Sequence, residues 1–328
     1  MTHFDVFNGD ADGICALHQL RLANPIASSL ITGVKRDVTL LARVPARQGD
    51  AVTVLDISLD TNREALLELL GRGVAVEYFD HHFFGSIPLH PGLMACIETA
   101  PTVCTSLLVN RHLGGKHALW AIVGAFGDNL SDAAHQLARG HFLRAGQTHQ
   151  LRELGESINY NAYGDAEADL RIPPARLYEA LLPYADPFQF IVAAPITRAL
   201  HDGRRQDMEM AMQQRASIAL PCGAIYVLPD LAWARRVRGV FSNHLASSHP
   251  RLAHAVLTVN AHGGYTVSVR APMASPYGAD KLCRQFESGG GREAAAGINC
   301  LARDRLPHFM RAFEEVFSVG GAAQNASS

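Results

Sequence analysis

A chain of 328 residues with 48% hydrophobic side chains can bury the cores of two domains. Its formal net charge of −2 excludes a whole-surface attraction to nucleic acid and leaves room for a local patch or a small substrate. The six scattered cysteines, with no Cys-x-x-Cys pair, exclude a zinc knuckle and a disulfide framework; with no leader pattern and no bilayer-length apolar stretch, a soluble, cytoplasmic protein with buried thiols is expected.

In the first third, strand-like runs alternate with amphipathic helical segments, the pattern of βαβ crossovers and a parallel sheet. His3–Phe7 reads as a strand, followed by Asn8-Gly9-Asp10-Ala11-Asp12 and a helix over Gly13–Leu22. Ala51–Leu55 reads as a strand running into Asp56, and Val74–Phe79 as one running into Asp80, His81 and His82. A short run at Met94–Glu98 and helical patterns over Pro101–Leu113 and Lys116–Phe126 lead to Gly127-Asp128-Asn129. Ser131–Gly155 reads as helical, Asn159–Pro174 as a long loop or connector, and Ala175–Leu182 and Asp207–Leu220 as helices. Pro221 opens a second strand-bearing portion: strands Ala224–Leu228, His254–Val259 and Tyr265–Val269, with a helix over Leu231–Ala246 between the first two. Gly289-Gly290-Gly291 precedes a last strand and a helix over Arg303–Phe317, and the small polar tail reads as frayed.

In an open parallel sheet the carboxyl ends of the strands share one edge, where ligands bind. Asp10, Asp12, Asp56, Asp80, His81 and His82 are therefore expected to converge, with Asp128 following another buried segment. Each has a plain structural alternative: Asp12 as a helix N-cap, Asp56 in a turn, His82 as a core histidine. Their matched placement is what points to a site. Gly13 is expected to permit a tight turn. Carboxylates suit hard divalent cations, and an imidazole from His81 shifts the preference toward Mn²⁺ over Mg²⁺. Two such ions would let one generate hydroxide while both hold a phosphoryl oxygen, the two-metal route to phosphoester hydrolysis, with Asp56 as the bridging candidate.

Gly289, Gly290 and Gly291 offer backbone for an anion nest, with Arg292 adding a planar fork; the alternative is a flexible connection. Arg270 ends a strand of the same portion, where it could meet the same anion or face solvent. Arg235-Arg236-Val237-Arg238 reads as a solvated helix face in preference to a nucleic-acid rim. The absence of a P-loop, a His-Glu-x-x-His helix and a Gly-x-Ser-x-Gly elbow disfavours nucleotide-triphosphate motors, zincins and serine hydrolases.

Together these residues resemble the DHH phosphoesterases, named for the tripeptide present here as Asp80-His81-His82. Asn8-Gly9-Asp10-Ala11-Asp12-Gly13 resembles the family's first motif, Leu55-Asp56-Ile57 the second and Gly127-Asp128 the fourth, while Gly289–Gly297 is similar to the glycine signature of the DHH-associated domain. The resemblance implies an α/β fold: an N-terminal, mainly parallel sheet flanked by helices, with a smaller C-terminal α/β domain across a cleft. The boundaries that follow are 1–158 for the catalytic domain, 159–220 for a helical connector, 221–318 for the substrate-binding domain and 319–328 for the tail. It implies two Mn²⁺ ions, with Mg²⁺ or Co²⁺ as substitutes, on Asp10, Asp12, Asp56, His81 and Asp128. His82 would face phosphate or water, and Asp80 would be a ligand or would orient an imidazole. Asn8, Arg270, Gly289, Gly290, Gly291 and Arg292 would contact the substrate. Two departures stand out: Val6-Phe7-Asn8 lacks the imidazole many relatives place before the paired acids, and Arg292 replaces the usual histidine of the glycine signature.

The function implied is hydrolysis of a phosphoester in a nucleotide or short oligonucleotide, with no membrane partner and homodimerisation left open. A polyphosphatase or cyclic-dinucleotide phosphodiesterase shares the same chemistry, and a non-catalytic nucleotide-binding or regulatory protein is the competing class.

Overall fold

The structure, a computed structural model, describes residues 1–260 and 263–322, with side chains through Ser318. The chain forms two compact units, Met1–Arg204 and Arg205–Ser328.

The first unit begins with β1 (His3–Phe7), α1 (Ala11–Ala23), β2 (Ser29–Ile31), β3 (Ala51–Leu55), α2 (Arg63–Gly71), β4 (Ala75–Asp80) and β5 (Leu93–Ile97). All five strands pair in parallel in the order β2-β1-β3-β4-β5. Successive strand residues point to opposite faces, and both faces are covered. Phe4, Val6, Val52, Val54, Val76 and Tyr78 join one core with α2, whereas Phe7, Leu55 and Phe79 join another built from the helices that follow. Those helices are α3 (Thr105–His112), α4 (Ala118–Gly127), α5 (Ser131–Gly140), α6 (Ala145–Asn161), α7 (Pro174–Leu181) and α8 (Pro187–Ala193); α9 (Pro195–Met212) carries the chain past the unit boundary. Burial on both faces explains why the strands read as near-continuous apolar runs.

Glycines set how closely α1, α4 and α6 approach. A Cβ on Gly155 would lie 2.2 Å from Val123 O, and one on Gly127 would lie 2.3 Å from the Ala11 methyl. Gly13 is needed for a related reason rather than for the turn expected of it. It sits inside α1, where a Cβ would lie 2.2 Å from Asn8 O.

The second unit contains β6 (Ile218–Leu220), β7 (Gly223–Val227), α10 (Ala232–Ser248), β8 (Ala253–Val259), β9 (Tyr265–Arg270), α11 (Ala279–Cys283), β10 (Gly289–Gly291), β11 (Ala295–Leu301) and α12 (Leu306–Ala322). Its mixed sheet runs β10-β11-β9-β8-β7-β6, with β7 and β8 the parallel pair. Val267, Ile298, Phe309 and Phe313 fill its core. The α/β class expected from the sequence is the class observed.

Several local expectations differ from the structure. The helical stretch over Ser131–Gly155 holds two helices, α5 and α6, separated where Phe142 takes a left-handed φ of 56°. The helix expected over Asp207–Leu220 is the end of α9 followed by the short strand β6. Within the 159–220 stretch, Leu177, Leu181 and Phe190 pack into the first unit's core. Gly320 lies within α12, and residues 323–328 of the expected tail lie outside the described residues. Among the described residues, no helix is long and apolar enough to cross a membrane.

Candidate metal centre

The chain leaves β1 toward β2 on one side and later returns as β3 on the other, so β1 and β3 flank a switch in strand order. A crevice forms at the carboxyl ends of strands that diverge in this way. Asp10 and Asp12 follow β1, and Asp56 follows β3.

Asp10 is the N-cap of α1: its Oδ1 accepts the N–H groups of Asp12 (3.0 Å) and Gly13 (3.1 Å), two of the donors a helix start leaves unpaired. The N-cap role considered for Asp12 thus falls to Asp10. Asp12 faces a second helix start, its two carboxylate oxygens accepting the N–H groups of Thr105 and Ser106 at 2.7 Å each. These paired donors at a helix start fix the orientation of the Asp12 carboxylate.

Asp56 adopts a left-handed φ of 62°, uncommon for a residue other than glycine. Its Oδ1 accepts the Thr105 hydroxyl (3.1 Å) and lies 3.4 Å from His81 Nε2. Burial, followed by the charges of Asp12, Asp10, Asp128 and Asp80, pushes the Asp56 carboxyl well above the usual carboxylate range.

The DHH tripeptide ends β4. His81 Nδ1–H donates to Val103 O (3.0 Å), a bond that fixes the tautomer and turns a lone pair on Nε2 toward Asp56, Asp128 (3.8 Å) and Asp12 (4.0 Å). His82 Nδ1–H donates to Asp80 Oδ1 (2.8 Å). Burial opposes the charged imidazole of His82, but the bond to Asp80 and the charges of Asp80, Asp10 and Asp12 outweigh it and raise its pKa. Asp80 is fully buried, and its Oδ2 has no hydrogen-bond partner in the structure. Of the two roles left open for Asp80, orienting an imidazole is the one its contact matches.

Asp128 caps the C-terminus of α4. Burial and then Asp12 raise its carboxyl, Lys35 and His81 oppose them, and the result is about 6. Lys35, which sequence reading did not single out, places Nζ 2.5 Å from Asp10 Oδ2 and 3.8 Å from Asp128 Oδ1. Burial raises Asp10, yet the charge and hydrogen bond of Lys35, the Gly13 N–H and a hydrogen bond with Asp56 bring it below its ordinary value. Asn8, expected to touch substrate, is buried with both ends of its amide engaged: Nδ2 donates to Lys35 O and Oδ1 accepts Asp10 N–H, each at 3.2 Å.

The donor chemistry fits a hard divalent cation with one imidazole. Asp12, His81 and Asp128 offer ligand atoms all within 4.8 Å of one another, and so do Asp56, His81 and His82. A buried carboxyl such as Asp56, held near four others, is an arrangement that a cation stabilises.

The remaining candidates lie in the second unit. Gly289, Gly290 and Gly291 form β10 rather than an open nest, pairing with Ile298, Gly297 and Ala296. The N–H groups of Gly289 and Arg292 donate to Phe286 O and Ala295 O. Glycine is required by close approach: a Cβ on Gly289 would lie 1.8 Å from Cys283 O, and Gly291 has φ 139°. The Arg292 side chain is exposed. Arg270, on β9, donates to Asn243 Oδ1 (2.7 Å), Ser268 Oγ (3.1 Å) and Val269 O (2.9 Å). In the basic run on α10, Arg236 is buried against Asp207 and Arg235 pairs with Asp230.

No protein-family model and no curated protein matches the sequence. Solved structures match the fold. An exonuclease RecJ bound to manganese shares 18% identity, with 97% of this chain and 90% of that chain covered, at a TM-score of 0.60. A DHH domain from a protein described as a member of a family of ribosomal proteins gives 14% identity, 96% and 86% coverage and a TM-score of 0.64. The pGpG-specific phosphodiesterase PggH from Vibrio cholerae gives 13% identity, 97% and 99% coverage and a TM-score of 0.57. The chain has a DHH-family fold.

Proposed function

We propose that this chain, on its DHH-family fold, is a metal-dependent phosphoesterase that hydrolyses phosphoester bonds in a nucleotide or short oligonucleotide. The observation that carries the reading is the gathering of Asp12, Asp56, His81 and Asp128 from four separate segments, with His81 held in the tautomer that offers Nε2. These residues would hold the cation, Mn²⁺ being the ion proposed because the RecJ structure of like fold was solved with manganese. When bound, such a cation supplies Lewis-acid charge for a phosphoryl oxygen and lowers the pKa of water.

The chain's own residues supply the rest. Thr105 and Ser106 keep Asp12 oriented through backbone N–H groups, and the Thr105 hydroxyl does the same for Asp56. His82, 46% exposed and favoured in its charged form by Asp80, would hold a phosphate oxygen or give its proton to the leaving oxygen. In the second unit, the exposed guanidinium of Arg292 is proposed to take an anionic group of the substrate; it stays protonated and so binds without donating a proton. A short substrate is supported by the charge of −2 and by the fold shared with the pGpG-specific enzyme.

The test is an assay with Mn²⁺ against a dinucleotide, a short RNA, a long single-stranded DNA, a cyclic dinucleotide and polyphosphate, beside Asp56→Ala. Hydrolysis of a short member that chelation and Asp56→Ala both abolish is expected. Nucleotide binding with no turnover across the panel would sink the enzymatic reading and favour a regulatory protein.

A further inference from the structure

We infer that Lys35 stands in for one of two cations, so that this site takes a single divalent ion. The inference rests on the metal-site reading proposed above and deepens it. The ammonium lies 2.5 Å from Asp10 Oδ2, 3.0 Å from Asn159 Oδ1 and 3.8 Å from Asp128 Oδ1. Its position is built from several sides. Lys35 N–H donates to Ala162 O (3.0 Å), and Asn8 Nδ2 donates to Lys35 O (3.2 Å). An ammonium only donates, so the Asn159 end that faces Nζ is the accepting Oδ1, and the other end of the amide donates to Tyr163 Oη (3.0 Å). A lysine merely drifting toward an acidic surface would have no such frame.

The donors around it assemble one ion rather than two. Both oxygens of Asp10 are engaged, Oδ1 by the N–H groups of Asp12 and Gly13 and Oδ2 by Nζ. The two donor sets that omit Asp10 share His81, and with Nδ1–H bonded to Val103 O that ring has one free nitrogen, Nε2. One imidazole lone pair binds one cation, so the two sets cannot both be filled through His81. A second ion on Asp10 would have to displace Nζ from Oδ2, and the neighbouring Val6-Phe7-Asn8 supplies no imidazole to help hold it; His82, the other imidazole of the two sets, is tied through Nδ1–H to Asp80. Lysine is also the apt residue. Of the 29 lysines and arginines only Lys35, Lys116 and Lys281 are lysine, and a compact ammonium comes nearer to a point cation than a planar guanidinium does.

Mn²⁺ binding to the full chain tests this, with calorimetry for stoichiometry and electron paramagnetic resonance for coupling between ions. Wild type is expected to bind one ion and give an uncoupled spectrum. In Lys35→Met a second site should tighten by at least about tenfold, since a like charge close by is removed, and the spectrum should show exchange coupling. Two coupled ions in the wild-type protein would overturn the inference. Asp10→Asn gives an independent check should Lys35→Met fail to fold: an unchanged single ion supports the inference, and a fall from two to one overturns it. Absence of any Mn²⁺ binding would remove both this inference and the metal-site reading. One bound ion with no hydrolysis in the substrate panel would keep the inference and sink the phosphoesterase reading alone.

Discussion

Asp56 combines two features that fold stability alone would select against, a left-handed backbone and a carboxyl buried among like charges. Such strain persists where function requires it. Asp56→Asn keeps the shape, suits φ 62° better and removes the charge. Hydrolysis should fall by about 10³-fold or more, while stability in a chelator should rise by about 1 kcal/mol. The folded carboxyl holds its proton more tightly than the unfolded one, whose ordinary value is 3.8, so the wild-type protein loses stability as pH rises above that value. The variant's advantage should therefore be larger at pH 8 than at pH 5; thermal unfolding in chelator at both would reveal it, and no gain at pH 8 would contradict the account. His18 behaves in the opposite sense. Its Nε2–H donates to Tyr184 O (2.8 Å), its Nδ1 is buried without a partner, and burial lowers its pKa to about 4. Between pH 6.5 and 4 the unfolded chain binds the extra proton, so stability present above 6.5 should drop by up to about 3 kcal/mol across that window. Urea titrations should show a shallower loss in His18→Gln; equal slopes would refute this. At this scale the carboxylates and histidines were legible because each follows a strand or helix end. Lys35 was not: it lies in no helix or strand, and its partners are 25 and 124 residues away in sequence.

At the scale of elements, the site depends on how tightly three helices pack beneath the strand ends. Gly155 lets α6 touch the backbone of α4 at Val123, and Asp128 caps the end of α4. Gly155→Ala should cost about 2 to 3 kcal/mol through overpacking and weaken Mn²⁺ binding as Asp128 shifts. Gly146, on the same helix with open space around its Cβ position, is the control. Gly146→Ala should stabilise by up to about 1 kcal/mol and leave Mn²⁺ affinity unchanged. Denaturation midpoints and binding isotherms for the pair decide the matter: equal effects would mean that helix propensity, not contact, governs. The apolar strands β1 and β3 announced themselves because both faces are buried, and β4 because its run closes on the buried Tyr78 and Phe79. The three-residue strands β2 and β6 did not, since so short a run shows no period. The break between α5 and α6 was hidden because Phe142, a bulky side chain, takes the left-handed turn normally left to glycine.

For the whole molecule, the alternation of elements made the α/β class readable and the order of motifs made the DHH fold readable. The division of the chain was harder to see, because α9 is one uninterrupted helix through residue 204 and no composition shift marks the boundary. Each unit has its own hydrophobic core, and separate cores allow separate perturbation. In the second unit, Arg236 meets Asp207 through Nε (2.7 Å) and Nη2 (3.1 Å), both side chains buried. Breaking a buried pair by removing one partner leaves an uncompensated charge and is destabilising by about 3 to 5 kcal/mol. Arg236→Ala should therefore speed hydrogen exchange through β7, β8 and β9 while β1, β3 and β4 keep their protection and Mn²⁺ binds as before. Mn²⁺ should act conversely, slowing exchange at α1, α3 and α4, because a ligand stabilises what it binds. Exchange that rose equally through β1, β3 and β4 in Arg236→Ala would show that the two cores open together. The basic run on α10, which could pass for a nucleic-acid rim, would then serve the stability of both units rather than that of the second.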